Sequence, residues 1–142
     1  MWGALALAAY TGVVGVFGLV RWYLGLPSHA FWIAMRIGQA LAVAYAALAG
    51  LLFLNGDRPA SGLYWLYALL PIAINFVSEQ LRLVAADHVL AARDIDNAQE
   101  IAGLPEEEQQ GIVLAILRRE MGVMALAAIV VCVLALRAAG TW

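Results

Sequence analysis

An all-α integral membrane protein, with four transmembrane helices in an antiparallel bundle and the third and fourth helices extended into a cytoplasmic helical hairpin, is the fold class this sequence predicts. Three observations predict it. The chain is 65% hydrophobic and only 13% charged over 142 residues, with a mean hydropathy of +0.86, far too apolar for a water-soluble domain of this size. Its apolar runs supply about four spans of roughly 20 residues each. The polar stretch between the third and fourth runs keeps helix formers on both of its flanks. A single membrane domain over residues 1–142 is expected, with spans at about 2–24, 31–54, 62–84 and 119–139 and the hairpin at about 85–118.

Charge and cysteine content exclude several classes. A net charge of -2 with dispersed basic residues gives no footprint for nucleic acid. Every basic residue is arginine (Arg21, Arg36, Arg58, Arg82, Arg93, Arg118, Arg119, Arg137), a bias that fits a GC-rich genome and, with it, a bacterial plasma membrane. Cys132 is the only cysteine. It allows no intramolecular disulfide and no CxxC redox or zinc pattern.

Span one opens without a basic n-region, so a retained helix is expected rather than a cleaved leader. Gly12, Gly15 and Gly18 recur every third residue in it, and small residues let helices approach closely in lipid. After the turn at Leu26, Pro27 and Ser28, His29 stands at the mouth of span two. Arg36 and Gln39 share one face of that span, and the seven-residue spacing of Arg36, Val43 and Gly50 places Gly50 on the same side as a close-packing position. Asn55 to Pro59 reads as a turn.

Span three is the stretch around which the remainder is expected to organise. It carries Pro71, Asn75, Ser78, Glu79, Gln80 and Arg82 in an apolar context, and such groups are costly within a membrane unless they serve packing or function. Spacing of three and four aligns Tyr64, Tyr67, Pro71, Asn75, Glu79 and Arg82 as an inward stripe. Pro71 lacks an N–H and crowds the carbonyl of Tyr67, which predicts a kink.

Helix formers continue past span three to Arg93, and Asp94 to Gly103 breaks the pattern. Asp94 or Asp96 is expected to cap a short helix there. Asp94, Asp96, Asn97 and Glu100 do not fit a calcium loop, which needs glycine where Gln99 stands and glutamate where Pro105 stands. Pro105 followed by Glu106, Glu107 and Glu108 marks a helix start. The helix then runs to about Ala139, on the order of 50 Å against a hydrocarbon core of about 30 Å. Val89 and Leu90 on one arm, with Ile112, Val113, Ile116 and Leu117 on the other, are the expected apolar seam of the hairpin.

Arginine counting gives the orientation. Arg21, Arg82, Arg93, Arg118 and Arg119 lie on the side of the hairpin, against Arg58 and Arg137 on the other. By the positive-inside rule the hairpin is cytoplasmic and both termini are outside. Trp2, Trp22, Tyr23, Trp32, Tyr64, Trp65 and Trp142 near span ends read as an interfacial belt. Tyr10, Tyr45 and Tyr67 lie deeper, where their hydroxyls need partners.

Matched depth brings Arg36 and Glu79 together, each about five residues inside the cytoplasmic surface, with Gln39 and Asn75 a turn deeper and Arg21, Arg82 and Glu120 bordering. Arg36, Gln39, Asn75 and Glu79, with Tyr67 beside the kink, are the candidate ligand- or ion-binding residues. The same pair also reads as a buried ion pair that fixes helix register. Gly12, Gly15, Gly18, Gly50 and Pro71 are the candidate helix-packing positions. His29 and His88 fall at or beyond the lipid boundary, so no haem, metal or other cofactor is expected, and no catalytic motif is visible.

The expectation is a non-catalytic accessory, assembly or scaffold subunit, partnered by the bilayer, by copies of itself or other membrane subunits, and by a cytoplasmic protein at 86–118. The alternative is a small oligomeric transporter or channel using the Arg36, Gln39, Asn75 and Glu79 layer, and a haem-binding or other redox protein stands third.

Overall fold

The computed structural model describes all 142 residues and contains helices only: α1 (Trp2–Tyr23), α2 (His29–Leu54), α3 (Leu63–Ala91), the short α4 (Ala98–Ala102) and α5 (Glu106–Thr141). α1, α2, α3 and α5 are each long and apolar enough to cross a membrane.

Local chemistry sets the helix ends. At the end of α1, Gly25 takes φ +68, its N–H donates to Trp22 O and that of Leu26 donates to Arg21 O. This closing motif needs a left-handed residue, which glycine supplies without a Cβ clash. α2 ends the same way at Gly56. α3 uses Asp94 instead, at φ 54, with Ile95 N–H donating to Leu90 O. Asp94 therefore terminates α3 and does not cap the short helix. Asn97 is the residue that caps α4, its side-chain oxygen accepting from the Glu100 N–H at 3.0 Å. Ser28 caps α2 by accepting from the Phe31 N–H.

The helix at the centre of the packing is α5, not α3. It lies closely along both α1 and α3, whereas α2 rests mainly against α1 and α3 and barely meets α5. Small side chains make this possible: Gly122, Ala125, Ala128, Ala135 and Ala138 are all buried on α5. The glycines of α1 face them. A Cβ on Gly12 would meet Cys132 Sγ at 3.1 Å, one on Gly15 the Ile129 side chain at 2.6 Å, and one on Gly18 both Phe31 at 2.2 Å and Ala125 at 2.9 Å. Contact across a glycine face therefore holds α1 to α5.

Gly50 is a correction. Nothing lies within 4 Å of the Cβ it would carry, and the buried residue at that level of α2 is its neighbour Ala49. The inward positions of α2 are Phe31, Met35, Gly38, Ala42 and Ala49, a face to which Arg36 does not belong.

On α3 the buried set is Tyr64, Ala68, Pro71, Ser78, Ala85 and Val89. Completed by half-buried Asn75 and Arg82, it alternates steps of four and three, the heptad spacing of supercoiled helices. The stripe is thus rotated from the expected one: Ser78 is inward, and Tyr67 and Glu79 are half-buried at its edge. Pro71 sits within a continuous helix and is buried. Near the α4 end of α3 and α5, Val89 and Ile112 are buried, while Val113 is 51% exposed and is not part of the seam.

Candidate functional site

Arg36 and Gln39 flank the buried positions Met35 and Gly38 of α2, and Glu79 and Arg82 flank Ser78 of α3. Each polar side chain is therefore placed at the edge of the α2–α3 contact by the apolar pattern beside it. They form one group. Arg36 Nη1 donates to Glu79 Oε1 at 2.8 Å and to Gln39 Oε1 at 2.9 Å, and Gln39 Nε2 donates to the same Glu79 oxygen at 2.8 Å. Arg82 Nε lies 3.4 Å from Glu79 Oε2, but its N–H is not aimed at that oxygen and has no hydrogen-bond partner. The Arg82 guanidinium instead lies over the Trp32 ring, 5.4 Å from its centre, a cation–π contact. Glu120 of α5 is close enough to interact electrostatically with Arg82 and Glu79.

The Arg36–Glu79 pair is not a buried one. The Arg36 side chain is 56% exposed and that of Glu79 24%, so Arg36 keeps donors free toward the outside of the helix group. One oxygen of Glu79 accepts two hydrogen bonds, and the amide of Gln39 bonds both partners. Such a triad stabilises a defined α2–α3 register, and its outer edge offers a guanidinium to an anion.

The other expected site residues separate from this group. Asn75 is half-buried, and its carbonyl accepts from Ser78 Oγ at 2.9 Å. With Gln39, Tyr10, Thr11 and Met35 it lines a small cavity of about 10 Å³, room for one water molecule. Tyr67, on the far side of Pro71, packs against the cluster of Ala4, Ala49, Tyr64, Ala68 and Ala138. Arg21 turns away, donating to Pro27 O at 3.1 Å. His29 begins α2 and His88 lies in the last turn of α3, both exposed.

Two polar contacts were not legible in the spacing. Tyr45 and Tyr64 share a hydroxyl–hydroxyl hydrogen bond of 2.8 Å, and Tyr64 is 2% exposed, buried among the helices. Tyr10 donates to Ala34 O at 2.9 Å, crossing from α1 to α2, over the site where a Cβ on Gly38 would meet its ring at 3.3 Å. Gly38, beneath the Tyr10 ring, and Gly3, against the Tyr45 ring, were the available signals. No known protein family, curated protein or solved structure matches this chain.

Proposed function

We propose that this protein is a non-catalytic membrane subunit, an accessory or scaffold element that assembles with copies of itself or with other membrane proteins. The observation that carries this reading is the contrast between a closely packed interior and an ion pair left partly exposed on the exterior. The cavity beside the polar triad has room for about one water, whereas the Arg36 side chain, within a span, is 56% exposed on the outer α2–α3 face. A charge at that depth is costly against lipid tails and is relieved by the interface or by a partner. In this reading the spans form an antiparallel bundle in a bacterial plasma membrane, with both termini outside. The ends of α3 and α5 form a cytoplasmic hairpin that docks a partner.

The alternative, transport of an ion or polar solute, is favoured by the same exposure. Arg36, Gln39 and Glu79 lie on an outer face, so a pathway through them would run between copies of the chain.

Two measurements decide. Native mass spectrometry in mild detergent is expected to give a homo-oligomer or a stoichiometric complex with a copurified polypeptide, and liposomes holding the purified chain are expected to show no flux of common ions. A monomer without partner would overturn the subunit reading, and flux abolished by Glu79→Gln would replace it with the transporter. Orientation is tested separately: in a Cys132→Ser background, cysteines at Ser61 and Gln109 are expected to react with an impermeant thiol reagent from outside and inside respectively.

A further inference from the structure

On the opposite flank from the triad, Arg21 of α1 and Arg118 of α5 line one cleft, with Trp22, Pro27 and Met121 around them. No carboxylate lines this cleft, and neither arginine takes part in an ion pair; the two ion pairs of the chain are both made by Glu79. Arg21 Nε is fully enclosed and has no hydrogen-bond partner, although the same guanidinium donates through Nη2 to Pro27 O. A buried cationic N–H without an acceptor is costly and rare. Two guanidiniums from different helices, one anchored by a backbone carbonyl and one exposed, therefore share a cleft that lacks its counter-charge. Arg21 stands two residues before the end of α1, and Arg118 adjoins the most apolar part of α5. The cleft thus lies where a bilayer presents its headgroups.

We propose that this cleft is a phosphate site, in which Arg21 and Arg118 together hold the phosphodiester of an anionic membrane lipid and so clamp the α1–α2 turn to α5. Guanidinium forks match phosphate oxygens in geometry and charge. The enclosed part of the cleft measures about 10 Å³, too small for a phosphate, so the group seats at the mouth, between the two forks. The acyl chains then run along the outside of α1. Trp22 supports the arrangement from beneath: its indole packs where Gly122 has no Cβ, and a Cβ there would meet Trp22 Nε1 at 2.8 Å. That glycine lets α5 come near enough to α1 for the two arginines to face one ligand. The assignment does not depend on the subunit reading, since a transporter would use the same clamp.

The test uses the full chain in an uncharged, phosphate-free detergent, with phosphatidylglycerol, phosphatidylcholine or inorganic phosphate added. Retained lipid is read by native mass spectrometry and stability by tryptophan fluorescence on heating. Phosphatidylglycerol is expected to stay bound and to raise Tm by about 3 °C or more, with phosphatidylcholine doing markedly less. Arg118→Gln, whose side chain makes no hydrogen bond to the rest of the chain, is expected to lower retention about tenfold. Arg21→Gln is expected to do the same, and if it fails to fold through loss of the Pro27 contact, Arg118→Gln decides alone. Arg119→Gln, adjacent but outside the cleft, is expected to keep retention within about twofold of the parent, where a tenfold loss would be the mark of a specific charge-assisted contact. A full shift with inorganic phosphate alone would support the site and assign it to a soluble phosphate. Equal retention of both lipids, or equal loss in Arg118→Gln and Arg119→Gln, would overturn the proposal and leave only diffuse attraction of surface charge.

Discussion

α5 and α2 are both long apolar helices, yet within their most apolar stretches 50% of α5 is buried by the rest of the chain and only 28% of α2. α2 turns Ile33, Ile37, Leu41, Leu48 and Leu51 outward, while α5 buries a run of alanines, a glycine and two methionines. In lipid there is little hydrophobic gain in hiding a leucine, because acyl chains are as apolar as its side chain. Close approach is what distinguishes the two helices, and small residues on the facing surfaces permit it. Where close approach fails, between α2 and α3, the polar triad of Arg36, Gln39 and Glu79 provides the specific contact.

The sharpest way to break this comparison is to crowd the close contact. Gly18→Leu forces new atoms into Phe31 and Ala125, and a loss of about 3 kcal/mol is expected, at the upper end for overpacked interiors. Reversible unfolding in mixed micelles measures it, and an unchanged midpoint would show that α1 and α5 do not depend on their glycine face.

A smaller effect is expected at the triad. Glu79→Ala leaves Arg36 and Gln39 without their shared acceptor, a loss of about 1 kcal/mol because the pair is partly exposed. Exchanging the partners, Arg36→Glu with Glu79→Arg, is expected to recover at least half of it, since the Gln39 amide can present either its oxygen or its nitrogen. No recovery would mean that Glu79 acts through Arg82 or Glu120 rather than through α2.

The smallest effect is expected at Gly50→Leu, within about 0.5 kcal/mol of the parent, because open space surrounds the position. If thermal melts instead placed it beside Gly18→Leu, α2 would be tightly packed after all and the asymmetry with α5 would disappear.

Composition and run length sufficed for the helical membrane class, because a spanning segment must be apolar over its whole length whatever it packs against. The turn at Asn55 to Pro59, which holds the closing Gly56 of α2, was legible for a similar reason: a left-handed closing residue is a local requirement. Matching depth along two neighbouring spans was enough to bring Arg36 to Glu79, since axial rise is fixed at 1.5 Å per residue. Rotation about the helix axis was not. Whether Glu79 or Ser78 points inward, whether Gly50 or Ala49 meets a neighbour, and which of four apolar helices stands at the centre depend on the summed fit of all the facing surfaces. No window of sequence contains that sum. Hydropathy marks a helix that enters the membrane, but in a solvent as apolar as the side chains themselves only the shapes of the neighbours decide which side of it is inside.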